Sequence, residues 1–461
     1  MEKEPTIASA KPLNSSNNAV LLGLSLGYFM VLLDTTVVSV ALPAIRADLG
    51  GGMDGLKWVV NAYTIVFAGL LLTMGSLADR LGAKRVYSYG LALFLVASAL
   101  SAAASSLWML IGLRALLGVG GAALMPASLS LLAHAYPVPA ERARALGVWA
   151  AVTGLAMAAG PVVGGILVDS LGWRSIFLLQ VPIAAVSLLM TARLVRETER
   201  KPQRSLDLPG QISIIVAIAA WSFVLMEGES YGWDSPVMLT GFGLALLSTA
   251  LFLAFERKGS TPMLPLGLFR IPTVSAGMAA GMAINVGLSG ILFMLPLYFQ
   301  QIRGFSAHLS GLALLPLTIP LAVNPIFTGR ITGRIGARLP MTFGFCLTAA
   351  GTLLQAWPEA NAGFVMTLVG LVLVGFGVSF TIPPLMTAVL SAVPRELSGT
   401  ASGALNSSRQ LGATFGVAVV GSVLGSSGSF LAGMQVSLLF LAALLLGAAI
   451  LSFACIGRSK A

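Results

Sequence analysis

The sequence is poor in charged residues. Asp, Glu, Lys and Arg together make up 10% of its 461 residues, whereas hydrophobic residues make up 57%. Soluble globular domains carry about 25% charged residues, so this composition excludes an ordinary water-soluble domain. The mean hydropathy of +0.91 agrees with this, and it predicts that lipid surrounds much of the chain.

The sequence is also poor in side chains that bind metals or form disulfides. It contains two histidines and two cysteines, and Cys346 and Cys455 lie in separate apolar runs. We therefore expect neither a disulfide framework nor a metal site. No HExxH motif and no Walker loop is found. The sequence thus predicts that the protein is not an enzyme, needs no cofactor and has no ATP motor of its own.

Long apolar runs, separated by short polar links, occupy most of the chain. They have roughly the 18 to 25 residues that a bilayer-spanning helix needs, which predicts an all-α polytopic membrane protein of fourteen helices. The first eight helices are expected near residues 19–43, 57–77, 85–104, 107–134, 143–168, 174–194, 209–226 and 237–255. The last six are expected near 272–300, 309–328, 341–357, 362–390, 399–424 and 432–455.

Lys and Arg are distributed unevenly between the links. If both termini are placed in the cytoplasm, 21 of the 27 basic residues fall on the cytoplasmic side. The exceptions are Arg46, Lys57, Arg174 and Arg303 outside, with Arg114 and Arg409 inside spans. This asymmetry predicts a multi-pass protein of the cytoplasmic membrane with both termini inside. The net charge of +10 is then a topology signal beside an anionic lipid surface, and does not indicate nucleic-acid binding.

An internal repeat divides the chain. The segment "GVGGAALMP" at 118–126 aligns with "GFGVSFTIP" at 375–383, and "GSLADRLGAK" at 75–84 aligns with "GRITGRIGAR" at 329–338. Parallel repeats of this kind are one design of secondary transporters. We predict a cytoplasmic tail (1–18), a six-helix bundle (19–200), an extra two-helix hairpin (201–258) and a second six-helix bundle (259–461) with a short cytoplasmic tail.

Four motifs in the first half carry a family resemblance. They are "LDTTVVSVALP" in span one, "GSLADRLGAKR" between spans two and three, "RALLGVGGAA" in span four and "GPVVGG" in span five. In this order they resemble the fourteen-span drug:proton antiporters of the major facilitator superfamily, with methylenomycin-resistance exporters as the nearest type. The resemblance implies a major facilitator fold and proton-driven efflux.

The chain also departs from that pattern. Ala83 stands where the family often has Arg, and Leu117 where Gln is common, so polar support for Arg114 is in question. In the second half, Gly333 aligns with Asp79 and Gly287 falls opposite Asp34. We therefore expect the carboxylate chemistry to differ between the two halves.

Asp34 and Arg114 are the candidate coupling residues. Asp34 lies nine residues before Pro43, and Arg114 lies seven residues after Leu107, so helix rise places both at similar depth. A charge at that depth costs at least about 2.5 kcal/mol on insertion scales, which favours a functional role. Burial disfavours ionised Asp34 whereas a guanidinium favours it, and the balance shifts as water enters. The alternative is a structural ion pair that does not titrate.

Two further motifs have a functional and a structural interpretation each. The first is a cytoplasmic gate loop with Gly75, Asp79, Arg80, Gly82, Lys84 and Arg85. Its glycines permit a tight turn, and Asp79 either caps the next helix or pairs with Arg; otherwise the loop is only a solvated topology signal.

The second is the antiporter motif with Gly160, Pro161, Gly164 and Gly165. It implies a proton seal, or else ordinary small-residue packing.

Two residues are secondary candidates. Glu227 could be a second carboxylate, although its acidic neighbours Glu229 and Asp234 favour an exposed outer loop. Arg409, inside span thirteen, either lines the cavity or makes a structural pair.

The sequence therefore predicts a monomeric, proton-driven exporter of small lipophilic or monovalent cationic molecules. One alternative is proton-coupled uptake of a small metabolite, although the predicted spans offer few polar groups for such a substrate. A membrane enzyme or a sensor is a further class, which the missing motifs and the missing soluble domain disfavour.

The predicted topology can be tested by cysteine labelling in a variant that lacks Cys346 and Cys455. A membrane-impermeant maleimide should label Gly232→Cys in intact cells, and should label Lys201→Cys only after the membrane is opened. Labelling of Lys201→Cys in intact cells would reverse the orientation.

Overall fold

The computed structural model describes residues 15–200, 207–259, 266–356, 363–394 and 397–457. These residues form α-helices, one 3₁₀-helix (Leu266–Arg270) and one π-helical segment (Tyr298–Ile302), joined by short links and without strands. The first eight helices are α1 (Ser15–Leu49), α2 (Gly52–Leu81), α3 (Ala83–Ala102), α4 (Leu107–Ala135), α5 (Pro139–Leu171), α6 (Ser175–Leu194), α7 (Leu208–Tyr231) and α8 (Pro236–Lys258). The next are α9 (Pro272–Leu297), α10 (Ala307–Ala313), α11 (Leu315–Val323), α12 (Pro325–Ile335), α13 (Arg338–Leu354), α14 (Gly363–Ser391), α15 (Ser398–Ser426) and α16 (Phe430–Cys455).

Eleven of the described helices are long and apolar enough to cross a membrane. The other three predicted spans have separate reasons for failing this criterion. The predicted span 309–328 is divided into α10, α11 and α12, because prolines at the start of α11 and α12 cannot continue the hydrogen-bond ladder. Helix α13 has only 17 residues, and the first half of α15 carries Ser, Asn, Arg and Gln side chains. The described residues thus contain eleven candidate spans, and the expected count of fourteen stays a prediction.

Local sequence signals set the helix boundaries. At four helix starts a serine hydroxyl accepts a hydrogen bond from the backbone N–H three residues later, namely at Ser106, Ser235, Ser306 and Ser429. This satisfies a donor that the first helical turn leaves free. At five ends the chain leaves the helix through a glycine with positive φ, at Gly50, Gly82, Gly172, Gly232 and Gly336. The sequence predicts Gly82 as a turn residue, and its φ of 102° confirms this.

The helices pack in a continuous arrangement around α1, α2, α5, α9 and α15. Helix α1 contacts α4, α5 and α6, and α9 contacts α14, α15 and α16. The two sets meet where α5 packs against α10 and α11, and where α2 packs against α15. Helices α7 and α8 form a hairpin whose α7 lies against both α2 and α15. The predicted division at residues 18, 200 and 258 stays a prediction, and its tails (1–14, 458–461) and link (201–206) lie outside the described residues.

Contacts at the helix ends show which links share a face. Glu197, just after α6, accepts a hydrogen bond from the backbone N–H of Lys84 in the first turn of α3 at 2.9 Å. At the other end of the helices, Arg174 in the α5–α6 link donates to Asp48 at the end of α1 at 2.6 Å. The end of the molecule with the Glu197 contact holds the α2–α3, α4–α5 and α6–α7 links, and we call it the basic face. The end with the Arg174–Asp48 contact is called the opposite face.

Close packing at the opposite face depends on the absence of side chains. A Cβ atom added at Gly165 would lie 2.4 Å from the backbone oxygen of Ala307, and one at Gly311 would lie 2.1 Å from the backbone oxygen of Pro161. Backbone atoms cannot move aside as a side chain can. Helices α5 and α10 therefore meet backbone to backbone at this end of the molecule.

This packing predicts a specific loss of stability. Gly165→Ala should lower the midpoint of thermal unfolding of the detergent-purified protein, because overpacking costs about 1–3 kcal/mol. Gly112→Ala is the matched control, since Gly112 is helical and a Cβ there meets no atom within 4 Å. Alanine propensity should leave that variant equal to or more stable than the parent by up to about 1 kcal/mol. Equal midpoints for both variants would contradict the contact.

Candidate functional site

Asp34 lies at the centre of a buried polar cluster built from three helices. Its carboxylate forms an ion pair with the guanidinium of Arg114 from α4, and 0% of Asp34 and 1% of Arg114 is exposed. The other carboxylate oxygen accepts a hydrogen bond from Nε2 of Gln180 in α6 at 2.8 Å. The structure thus brings together the two residues that the sequence predicts as a pair, and adds a third that it did not predict.

Gln180 is held in one orientation by a second contact. The Ser98 hydroxyl of α3 donates to the Gln180 amide oxygen at 3.2 Å, which directs the amide N–H towards Asp34. A sequence signal for this residue exists, because Gln180 is a lone amide in the apolar run "SIFLLQVPIAAVSLL". Its partner could not be identified from sequence, since 146 positions separate it from Asp34.

Arg114 is supported mainly by α2. Its Nε donates to the backbone oxygen of Val59 at 2.9 Å, and its guanidinium carbon lies 4.7 Å from the ring centroid of Tyr63. The aromatic face stabilises a nearby cation. The apolar Leu117 in α4 therefore does not leave Arg114 without support, which settles the doubt raised by that departure from the family pattern.

A central cavity of about 610 Å³ adjoins this cluster. This volume is in the range of small-molecule sites, which are about 300–1,000 Å³. The wall includes Tyr28 of α1 and Trp149 of α5, whose rings stack at a centroid distance of 4.5 Å and an interplanar angle of 8°. Arg114 also lines the cavity, whereas Asp34 lies behind it. The ion pair thus extends from the cavity wall, at Arg114, into the packed interior of the helix bundle, at Asp34.

Arg409, the second arginine predicted inside a span, lines the same cavity from α15. Among the described residues its only hydrogen-bond partner is Asn406 Oδ1 at 3.4 Å, and its Nε atom is buried without a partner. Of the two interpretations that the sequence left open, cavity lining is the one that the geometry supports.

The predicted gate loop is anchored by residues that follow α6. Glu197 accepts from the backbone N–H groups of Lys84 and Arg85, at 2.9 and 3.3 Å, and Thr198 accepts from the N–H of Ala83 at 2.9 Å. The start of α3 is therefore capped by the link that follows α6, and the predicted role of Asp79, as a cap or as a partner of Arg, stays a prediction. A Cβ at Gly82 would lie 2.5 Å from the Glu197 carboxyl carbon, so the turn and the cap both require glycine.

The other members of the gate loop occupy different positions. Lys84 Nζ donates to the backbone oxygen of Ala192 at 3.0 Å, and the Arg85 guanidinium lies 3.9 Å from Glu197. Arg80 is exposed, whereas Asp79 is partly buried in the last turn of α2. At Gly75 an added Cβ would make only ordinary contact, at 3.6 Å from Pro126.

The antiporter motif packs against two helices. An added Cβ at Gly160 would lie 1.9 Å from Thr36 Oγ1, and one at Gly164 would lie 2.6 Å from Val37 Cγ2, both on α1. Gly165 and the backbone of Pro161 contact α10, so the predicted close packing is confirmed.

Asp169, which the sequence analysis did not single out, fastens the end of this motif to the second half. Its two carboxylate oxygens accept the backbone N–H groups of Ala307 and His308 at 3.0 and 2.8 Å. Asp169 thereby caps α10 from the end of α5. Its sequence signal is a single acidic residue at the end of "GPVVGGILVD".

Glu227 is buried, which corrects its assignment to an exposed acidic loop. Only 8% of it is exposed, and it accepts a hydrogen bond from Trp58 Nε1 at 2.7 Å. Lys57, predicted in an outer segment, is also buried in α2 and donates to the backbone oxygen of Met226. These contacts attach the end of α7 to α2. They place Glu227 in the hairpin contact and do not place it at the cavity wall.

The amino-acid sequence is similar to that of known transport proteins. The sequence profile of the Major Facilitator Superfamily matches residues 24–417. The multidrug resistance protein Stp of Mycobacterium tuberculosis is 37% identical over 412 residues, which are 89% of this chain and 76% of that protein. The methylenomycin A resistance protein of Bacillus subtilis is 36% identical over 436 residues, which are 93% of this chain and 92% of that protein.

The fold also matches solved structures. The crystal structure of a D-xylose-proton symporter superposes with a TM-score of 0.73 over 97% of this chain and 99% of that chain, at 13% sequence identity. At this identity the likeness shows the fold alone. Taken with the profile match and the relatives, the chain belongs to the Major Facilitator Superfamily and is a multi-pass membrane transporter of that family.

Proposed function

We propose that this protein exports small lipophilic molecules, such as drugs or antibiotics, across the cytoplasmic membrane in exchange for protons. The observation that carries the proposal is the buried Asp34–Arg114 pair beside the central cavity. The names of the relatives, which are resistance proteins, support the direction of transport. The gradient of protons supplies the energy, and Asp34 is the group that binds the proton.

The chemistry of the pair suits this role. Protonation of Asp34 removes its charge and therefore its attraction to Arg114, so the guanidinium is left in a low-dielectric wall with only the Val59 oxygen and the Tyr63 ring. The two partners come from different helices, α1 and α4. Loss of their attraction therefore favours a different relative position of these two helices. Since Arg114 lines the cavity, a substrate there and a proton on Asp34 act on the same side chain.

Alternating access requires that each face opens in turn. The closed α5–α10 contact at the opposite face fits a state whose cavity is reached from the basic face, which we assign to the cytoplasm on its Lys and Arg content. Opening the opposite face must separate Asp169 from α10 and Gly165 from Ala307. The gate loop at the basic face then stabilises the alternative state, and the Glu197 cap, which is already formed here, keeps the start of α3 in position for that role.

Asp34→Asn tests the proposal. In everted vesicles or proteoliposomes with an imposed pH gradient, the parent should accumulate a lipophilic substrate in a protonophore-sensitive manner, and the variant should lose uphill transport. The variant also leaves Arg114 unpaired, which costs about 3–5 kcal/mol and can prevent folding. The double variant Asp34→Asn/Arg114→Gln removes both charges, so it should regain stability without regaining uphill transport.

Asp48→Asn is the matched control, because Asp48 is an ion-paired aspartate of the same helix that is about half exposed at the opposite face. It should transport like the parent. Uphill, proton-coupled export by Asp34→Asn would contradict the central role of Asp34. Net proton-coupled accumulation in the direction of the cytoplasm would show the alternative function, uptake of a metabolite.

The gate-loop cap predicts a second effect. Glu197→Ala should slow export and increase hydrogen exchange of the amides of residues 83–85, because loss of a helix cap costs about 0.5–2 kcal/mol. Glu199→Ala is the control, since Glu199 is an exposed acidic residue of the same link. If Glu197→Ala increases exchange but leaves the export rate at the parental value, the cap is structural and the loop is not a gate.

A further inference from the structure

The charges that line the central cavity are not balanced. Among the described residues that form its wall, the two with a formal charge are Arg114 and Arg409. Asp34 neutralises Arg114 through the buried ion pair. Arg409 has no described acidic partner, and its one hydrogen bond, to Asn406, is long at 3.4 Å. The cavity therefore presents one uncompensated positive charge, on the side formed by α15.

Two hydrogen-bond donors of this wall also lack acceptors. Arg409 Nε and Trp149 Nε1 are both buried and have no partner among the described residues. A buried donor left unmatched is costly unless water or a ligand provides an acceptor. The cavity wall thus combines unmatched donors with an unmatched positive charge, and both features favour an acceptor that carries negative charge.

We propose that the cavity binds lipophilic monoanions, specifically apolar molecules that carry one carboxylate, and that Arg409 receives the carboxylate. This proposal rests on the function proposed above and names its substrate class. A guanidinium matches a carboxylate with two parallel N–H···O bonds, which gives both strength and orientation. The apolar part of the ligand would lie against the stacked rings of Tyr28 and Trp149, which bound the same cavity.

The same arrangement disfavours cations. The sequence led us to expect monovalent cationic or neutral substrates, on the assumption that Asp34 could face a substrate directly. In the structure both carboxylate oxygens of Asp34 are occupied, one by Arg114 and the other by Gln180, and no part of Asp34 is exposed. A cation that enters the cavity meets two guanidinium groups and no free carboxylate among the described wall residues.

Three probes of one shape test this inference. Radiolabelled naphthalene-2-carboxylate, naphthalene-2-carboxamide and (2-naphthyl)trimethylammonium would be measured for equilibrium binding to the purified full-length protein in nanodiscs at pH 7. Empty nanodiscs would provide the correction for lipid partitioning. The carboxylate should bind at least about tenfold more tightly than the carboxamide, as charge-assisted bonds are about twice as strong as neutral ones. The ammonium probe should bind most weakly.

Substitutions at Arg409 assign the effect. Arg409→Gln should reduce the preference for the carboxylate to within about twofold while the carboxamide still binds, which also shows that the variant is folded. Arg409→Lys keeps the positive charge but loses the planar guanidinium that can form two parallel hydrogen bonds, so it should retain part of the preference. Arg338→Gln is the matched control, because Arg338 packs over Phe453 away from the cavity and its loss should leave the preference unchanged.

The inference is overturned if the parent binds carboxylate and carboxamide equally, if it binds neither, or if the preference survives in Arg409→Gln. Its failure is distinguishable from failure of the proposed function. Protonophore-sensitive, Asp34-dependent export of neutral or cationic compounds without a carboxylate preference would overturn only the substrate class. An Arg409-dependent preference without proton-driven export in vesicles would retain the anion site and overturn the antiport.

Discussion

The ion pair between Asp34 and Arg114 places the strongest constraint on the rest of the structure. Each charge alone is costly in a hydrocarbon surrounding, so the fold must keep the two together and must satisfy their remaining hydrogen-bonding groups. Four helices contribute to this: α1 and α4 supply the charges, α6 supplies the Gln180 amide, and α2 supplies the Val59 oxygen and the Tyr63 ring. The proposed protonation of Asp34 would therefore act on the positions of all four helices.

Backbone contact provides the second constraint. Gly160 and Gly164 bring α5 against α1, and Gly165 with Gly311 brings α5 against α10. Helix α5 thus joins the segment that carries Asp34 to the segment that closes the opposite face. Because small-residue interfaces have no flexible side chains that adjust gradually, a shift of α1 must be transmitted to α10 or must break the contact. This contact provides a physical route from the proposed proton site to the α5–α10 contact at the opposite face.

The two halves of the cavity wall differ in how completely their arginine side chains are paired. The first half has a fully paired arginine, whose aspartate and glutamine partners are buried with it. The second half has an arginine whose described contact is one long hydrogen bond. The sequence repeat anticipates part of this asymmetry, since Gly287 falls opposite Asp34 and the second half has no matching carboxylate. This division agrees with the two proposals, a proton site in the first half and a substrate site in the second.

The sequence by itself determined the helices, their approximate limits and the candidate charges. Apolar runs and polar links are local properties, so they predicted the α-helices, the turn at Gly82 and the pairing of Asp34 with Arg114 at equal depth. It did not determine that the predicted span 309–328 breaks into α10, α11 and α12, although three prolines mark it. Proline can kink a helix or end it, and the outcome depends on neighbouring helices.

Only the tertiary structure decided which polar groups meet. Gln180 with Asp34, Glu197 with the start of α3, and Asp169 with the start of α10 join positions that are more than 100 residues apart. A lone amide or carboxylate in an apolar run indicates that a hydrogen-bond partner is needed, but the sequence does not identify that partner. The choice depends on the mutual rotation and depth of packed helices, which is set by many apolar contacts at once. For the same reason the sequence placed Arg409 inside a span, and only the packed structure placed it at the cavity, where no counter-charge lies among the described wall residues.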